Sequence, residues 1–321
     1  MAKVWILVGA TATGKTATAN ELARRTGSIV LSADSMLVYR GMDIGTAKPS
    51  LKELEGITFR GADLVAPNEP FSTGKWLEAA RNTIAEADAV GKDVIVAGGT
   101  GLYISALLNG LDVPGAEDVA LRERLNSEYA ANGIEALWQR LSTVPEILDA
   151  MPDKENPRRV IRMIELLELK GEAAVREFAT HLSLQQKELT SAQQQPIAGL
   201  WAEPELLKFR IEKRAREMFL NGLLDEVKAL RAEYPNFSST AGSGIGYQEA
   251  QDALDGKCSV EEAIERTVIR TRQLAKRQRT WFRHQNNVKW VPAPNTAIEV
   301  SRVADKIMEV WNEYGPAEVK V

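Results

Sequence analysis

The sequence predicts an α/β protein, a parallel sheet flanked by helices, with an all-helical insertion domain. Three observations predict it. An apolar run, Val4-Trp5-Ile6-Leu7-Val8, passes directly into Gly9-Ala10-Thr11-Ala12-Thr13-Gly14-Lys15-Thr16 and then into a helical stretch at 17–23. Strand, glycine loop and helix in that order make the sheet P-loop NTPase-like. Two more short apolar runs, 28–31 and 93–97, have the unbroken hydrophobicity of strands buried on both faces. From Pro114 to Pro196 the pattern changes to amphipathic helices interrupted by Pro145, Pro152 and Pro157. The expected division is therefore 1–113 with 197–321 as the core and 114–196 as the helical insertion.

The glycine loop lets several backbone N–H groups point inward, and the following helix adds its partial positive charge. Gly9, Ala10, Thr11, Ala12, Thr13, Gly14, Lys15 and Thr16 are thus candidate phosphate-binding residues, with Lys15 reaching a terminal phosphate and Thr16 a bound Mg²⁺. The strand at 93–97 lacks the acid with which a triphosphate hydrolase holds Mg²⁺, which argues against an ATP-driven motor. Asp34 follows the second strand. Ligands of parallel α/β sheets sit at the carboxyl ends of strands, so Asp34 shares a rim with the loop. It is a candidate proton acceptor, a neighbour of the metal, or the cap of a helix. Gly98-Gly99-Thr100-Gly101 closes the third strand, where three glycines imply close backbone approach to a ligand. Residues 36–49 have mixed polarity without a period and read as a loop on the same rim.

With 321 residues the chain suits about two domains. A net charge of −4 excludes a protein that coats nucleic acid indiscriminately, yet leaves room for a local basic site. The single cysteine, Cys258, excludes an internal disulfide and a Cys-based zinc cluster and fits the reduced cytoplasm. No stretch approaches the ~18 apolar residues of a membrane span.

Among the helical segments, 76–90 places Trp76, Leu77, Ala80, Ile84 and Ala87 at helical spacing, as core contacts. A long amphipathic helix over 206–234, with a break near Gly222, carries Arg210 and Arg214 four apart and Met218 in its core face. Asn156-Pro157 starts a helix that presents Arg158, Arg159 and Arg162, either as a solvated face or as a binding site. Arg122 lies on an earlier helix, and its spacing does not distinguish it from a surface residue. Residues 266–283 hold seven Lys or Arg and no acid. At roughly 100° per residue, Arg272, Lys276, Arg279 and Arg283 form one stripe and Arg266, Arg270 and Arg277 another, with Leu274 and Trp281 in a narrow apolar seam. Like charges four apart repel, so the double stripe is expected to meet a phosphate backbone. Residues 300–314 read as a terminal helix.

Several of these stretches together resemble the tRNA dimethylallyltransferase family. They are the phosphate loop, Ser32-Ala33-Asp34-Ser35 running on to Pro49, Gly98-Gly99-Thr100-Gly101-Leu102-Tyr103, Gly244-Ile245-Gly246-Tyr247-Gln248-Glu249, and Thr271 to Gln278 with Thr280-Trp281-Phe282-Arg283. The resemblance implies transfer of a dimethylallyl group from dimethylallyl diphosphate to N6 of the adenosine just 3′ of a tRNA anticodon. The loop then holds a diphosphate leaving group, with Mg²⁺ on Thr16 and the diphosphate oxygens. It implies that Asp34 is the general base, acting in a catalytic set with Lys15, Thr16, Thr100 and Arg214, the last a diphosphate contact. Ser35, Met36 and Leu37 would line the adenosine pocket with Asp34. Thr100, Arg122, Arg158, Arg159, Arg162, Arg272, Lys276 and Arg277 would contact tRNA, and the helical insertion would close over the anticodon stem. A monomeric cytoplasmic enzyme is expected. The chain departs from the family pattern at Arg60-Gly61-Ala62-Asp63, where a paired histidine and Leu-Ile-Asp are usual, and at Ala10, where proline is usual. On residues alone a small-molecule kinase remains open, since a loop holding ATP and an Asp34 activating a hydroxyl would serve it. It leaves the basic helix without a task.

Overall fold

The computed structural model describes residues 1–110, 118–151, 154–185 and 194–320. Pro114 and Pro152 lie outside the described residues. The chain divides into two compact units, Met1–Gly110 with Ser191–Val321, and Leu111–Thr190.

The first unit is built on a six-stranded sheet of order β3-β2-β4-β1-β5-β6, in which every pairing is parallel. In chain order its elements begin with β1 (Val4–Gly9), α1 (Lys15–Thr26), β2 (Ile29–Ala33), β3 (Phe59–Arg60), α2 (Thr73–Ala89), β4 (Val94–Gly98) and α3 (Gly101–Asn109). Side chains alternate across a strand. Val4, Ile6 and Val8 of β1 therefore join Trp76, Leu77, Ile104 and Leu107 of α2 and α3 on one face. On the opposite face Leu7, Val30 and Ile95 pack with Leu22 of α1 and with Ile307 and Trp311 near the C-terminus. The helical face expected from Trp76 to Ala87 is buried throughout. Trp76 stacks on Tyr103 at 4.6 Å between ring centroids and donates its indole N–H to the Ser32 carbonyl at 2.9 Å.

The second unit comprises α4 (Val119–Arg140), α5 (Pro145–Ala150), α6 (Pro157–Lys170) and α7 (Glu172–Gln185). Leu125, Leu137, Val144, Val160, Ile164 and Val175 form its core. Gly133 leaves helical geometry at φ 76° and breaks α4. Asn156 caps α6 by accepting the Arg158 N–H at 3.1 Å, with Pro157 at the first helical position, as the sequence predicts.

The chain then returns to the first unit as β5 (Ile197–Trp201), α8 (Pro204–Leu220), α9 (Leu223–Glu233), α10 (Ser239–Gly242), α11 (Tyr247–Leu254), α12 (Val260–Gln285), β6 (Val288–Pro292) and α13 (Glu299–Tyr314). The predicted long helix is two helices, separated at Gly222, whose φ of 98° only glycine takes without strain. Met218 is in the core, as expected.

Two corrections follow. The strands β3, β5 and β6 were not expected from sequence. β3 is only two residues long, and the β5 run is interrupted by Gly199, where a Cβ would come within 2.5 Å of Val288 on β6. The buried side of α12 is Ala263, Ile264, Thr267, Ala275 and Phe282 rather than the seam of Leu274 and Trp281, which are only half-buried. No described helix is long and apolar enough to cross a membrane.

Candidate active site

Parallel pairing sets Val8 beside Gly98 and Ala33 beside Gly98, so β1, β2 and β4 end level with one another. The residues that follow, Gly9, Asp34 and Gly99, therefore share one rim. The glycine loop leaves it and closes on Gly14, which caps α1 in the left-handed region at φ 85°. No side chain caps the first turn of α1, so its N–H groups are open to an anion. Inside the loop the Thr13 hydroxyl donates to the Ala10 carbonyl at 2.8 Å and the Lys15 ammonium to the same oxygen at 2.6 Å. Ala12 sits at φ 63°, a conformation costing a non-glycine residue about 1 kcal/mol. Arg210 holds it, donating to the Ala12 carbonyl at 3.3 Å and also to the Pro294 carbonyl.

Two cavities open on the rim, of about 690 Å³ and 760 Å³. Thr11, Asp34, Thr46, Arg214, Leu274 and Gln278 line both, so they are two halves of one cleft that meet along these residues, Asp34 among them. One half has Lys15, Thr16, Arg24 and Arg210 in its wall and is suited to a polyanion. The other has Met36, Thr100, Leu274, Arg277 and Trp281, a wall suited to a planar base. Asp34 Oδ1 accepts the Met36 N–H at 2.8 Å, which orients the carboxylate while leaving Oδ2 as the oxygen available to a proton. The Asp34 side chain thus both ties a turn and lines the cleft. Thr100 Oγ1 accepts the Ser35 N–H at 3.1 Å.

Burial lowers the Lys15 ammonium to about 8; the nearby Asp34 carboxylate opposes that shift and the Arg214 guanidinium adds to it. Burial likewise lowers Arg214, again opposed by Asp34. The three side chains are thus electrostatically coupled, and an anion between the two cations would relieve their repulsion.

Of the residues expected from sequence, Thr11, Ala12, Gly14, Lys15, Thr16, Asp34, Ser35, Met36, Thr100 and Arg214 come together here, whereas Gly9, Ala10 and Thr13 do not line the cleft, the last two being buried beside another cavity. Leu37 is buried and lines the anion half rather than the half that holds Ser35 and Met36. Arg277 reaches the base half, whereas Arg272 and Lys276 line a separate groove with Lys208 and Arg279 on the outer side of α12. Arg122, Arg158, Arg159 and Arg162 belong to the other compact unit. There Arg122 pairs with the fully buried Glu165 through two bonds, at 2.6 and 2.8 Å, and Arg162 pairs with the same carboxylate at 3.0 Å.

Three readings need correction. The glycines at 98, 99 and 101 are required by protein rather than by ligand. A Cβ at Gly98 would lie 2.2 Å from the Ala33 carbonyl oxygen, at Gly99 2.3 Å from Gln278, and at Gly101 2.2 Å from the Trp281 ring. The basic helix is not an unrelieved double stripe, because Arg270 is paired with buried Glu249 and Arg266 with Asp252 at 3.8 Å. The Thr11 N–H is not free for phosphate, since it donates to Gln278 Oε1 at 2.8 Å. The roles of Gln278 and Arg210 were missed in the sequence. Both residues stand in stretches singled out in the sequence, Arg210 four residues from Arg214 and Gln278 within the basic run, but nothing there marks them as holding the glycine loop.

The fold and cleft define a P-loop-like protein with a cation-lined cleft beside a carboxylate at the rim of its sheet. A family model described as IPP transferase matches residues 37–285, and one described as isopentenyl transferase matches 2–61. The chain belongs to the IPP transferase family. It is 42% identical over 289 residues to the tRNA dimethylallyltransferase of Geobacillus kaustophilus (strain HTA426), covering 90% of each chain. It is 39% identical over 288 residues to that of Corynebacterium jeikeium (strain K411), covering 89% of this chain and 90% of the relative. Among solved structures, the full-length tRNA isopentenylpyrophosphate transferase from Bacillus halodurans superposes with a TM-score of 0.68 at 33% identity over 98% of each chain. A eukaryotic dimethylallyltransferase acting on tRNA gives a TM-score of 0.78 at 25% identity, covering 99% of this chain and 81% of that one.

Proposed function

We propose that this chain transfers a dimethylallyl group from dimethylallyl diphosphate to N6 of the adenosine immediately 3′ of the anticodon in a subset of tRNAs, releasing diphosphate. The observation that carries the reading is the placement of Asp34 where the cationic and base-sized halves of the cleft meet. The lone pair of the exocyclic amine is delocalised into the adenine ring, so the amine must shed its proton as the N6–C1 bond forms. Asp34 Oδ2 accepts that proton, help worth on the order of 10² to 10⁴ in rate. The C1–O bond breaks and its electron pair leaves with the diphosphate. Lys15, Arg214 and the open N–H groups of α1 stabilise the growing charge, each preorganised donor contributing roughly 3–4 kcal/mol.

A divalent cation fits beside the loop. Thr16 is exposed in the wall of the anion half, and the same wall includes Asn20, buried with its Oδ1 lacking a donor among the described residues. Mg²⁺ held by the Thr16 hydroxyl and by diphosphate oxygens would neutralise leaving-group charge when bound. The target adenosine leaves the anticodon stack and enters between Met36, Leu274 and Trp281. Arg272, Lys276 and Arg277 bind the tRNA backbone with Asp34, Ser35 and Thr100 near the reacting base. Arg122, Arg158, Arg159 and Arg162 contact tRNA from the helical unit, which closes over the anticodon stem. The lone cysteine suits the reduced cytoplasm.

The experiment is mass spectrometry of nucleosides from an unmodified tRNA with adenosine 3′ to its anticodon, after incubation with the protein, Mg²⁺ and dimethylallyl diphosphate. A prenyl-sized mass gain on that adenosine is expected. No gain, with phosphate moving from ATP to a small acceptor instead, overturns the reading in favour of a kinase.

A further inference from the structure

The loop that carries Thr46 to the cleft is held from outside it at one end by Lys48, which donates to the Tyr39 carbonyl and to the Asp43 and Asp63 carboxylates, and at the other by one carboxylate. Glu226, in the first turn of α9, accepts the Asp43 N–H at 3.2 Å and the Ile44 N–H at 2.8 Å on Oε2, and the Tyr247 phenol at 2.6 Å on Oε1. Three donors on one carboxylate fix both its oxygens and the backbone they grip. Tyr247 is fully buried, and its ring packs against Gly45: a Cβ there would come within 2.4 Å of the ring. Tyr247 is itself set in place by Glu249, which accepts the Gly246 N–H at 2.7 Å and pairs with Arg270. At the next residue, the Thr46 carbonyl accepts the Arg214 guanidinium at 2.9 Å, and the Thr46 hydroxyl donates to the Met42 carbonyl at 2.6 Å. Glu226 lines neither half of the cleft.

We propose that Glu226 is a positioning residue for the anion half of the site: through the 43–46 backbone it sets the Thr46 carbonyl that aims Arg214 at the diphosphate. Tyr247 is its partner, fixing the carboxylate from one side and Gly45 from the other. Without this grip the loop loses two hydrogen bonds and Tyr247 a third, and the Thr46 carbonyl wanders, so Arg214 keeps its charge but not its direction. The inference rests on the assignment of Arg214 to diphosphate made above.

The test is calorimetric titration of the whole protein with inorganic diphosphate in the presence of Mg²⁺, alongside tRNA binding and thermal melting. Glu226→Ala should weaken diphosphate binding about tenfold, the loss expected when a charged hydrogen-bond anchor is removed, with tRNA affinity unchanged. Glu226→Gln should restore most of it, because the amide oxygen still accepts the two N–H groups and the amide nitrogen donates to the Tyr247 oxygen. Tyr247→Phe keeps the ring on Gly45 and should give a smaller loss, which decides the matter if Glu226→Ala does not fold. In an Arg214→Gln background, Glu226→Ala should add no further loss of diphosphate affinity. Additive losses, or unchanged binding in both Glu226→Ala and Tyr247→Phe while Arg214→Gln binds weakly, overturn the inference alone. Unchanged binding in Arg214→Gln overturns the assignment of Arg214 as well.

Discussion

Gln278 on α12 accepts a hydrogen bond from the backbone N–H of Thr11 at 2.8 Å, tying the basic helix to the glycine loop across 267 residues of chain. The same amide packs against Gly99, so three rim elements share one side chain. Gln278→Leu should leave the Thr11 N–H unpaired and destabilise the protein by about 1–3 kcal/mol, read by urea denaturation. Weakened diphosphate binding should accompany it, because the loop is no longer held.

The glycines on this rim separate by what they meet. At Gly98 the obstacle is backbone, the Ala33 carbonyl, which cannot yield, whereas at Gly99 it is the end of a flexible side chain. Gly98→Ala should therefore cost about 2 kcal/mol or more. Gly99→Ala should cost less in stability, yet displace Gln278 and mimic its loss in diphosphate titrations.

Asp34→Ala should reduce prenyl transfer by about 10² to 10⁴ while leaving tRNA affinity nearly intact, measured by single-turnover kinetics and filter binding. A collapse of tRNA affinity would make Asp34 a binding residue instead. Removing its charge also takes away the attraction that partly offsets burial of Lys15, so the Lys15 ammonium should fall further below about 8 in Asp34→Asn.

Diphosphate affinity should decline as pH rises through about 8, where Lys15 loses its proton. The ligand titrates too, so the readout is the affinity ratio of wild type to Lys15→Gln, which should shrink across that window. The stability of the free protein moves in the opposite direction. Because the lysine pKa is lowered by folding, the unfolded chain binds more protons between about 8 and 10.5, and this group makes stability rise with pH there.

The paired and unpaired cations of α12 should behave differently. Arg272 and Lys276 are exposed, with no ion pair to another described residue, and neutralising either should lower the salt slope of tRNA binding by about 0.7–0.9. Arg270→Gln should leave the slope alone and instead lower the melting temperature, because it strands the buried Glu249 carboxylate. In the helical unit, Arg122→Ala removes two bonds from buried Glu165, so its effect on tRNA affinity has to be read against a stability loss of about 1–3 kcal/mol.

The features legible in the amino-acid order are those whose physics is local. The glycine loop between strand and helix, the buried face from Trp76 to Ala87, the cap at Asn156 and the break at Gly222 each rest on contacts within a few residues, where backbone periodicity and allowed φ decide the outcome. Asp34 was legible because it follows a continuous apolar run, which places it at a strand end whatever the sheet order. Which charges are spent internally depends on the packing of distant elements. Arg270 and Arg272 look alike in sequence, and one is paired because α11 happens to bring Glu249 beside it. Likewise Gly98, Gly99 and Gly101 read as a ligand cradle until Ala33, Gln278 and Trp281 are seen to fill the space. Strands β5 and β6 are as long as β2 and β4 but lack their unbroken apolar run, β5 holding Gly199 and β6 Lys289 and Pro292, so their place in the sheet comes from their pairing partners. The grip of Glu226 on the 43–46 loop spans more than 180 residues and leaves no trace in local spacing, because it depends on where the topology returns the chain.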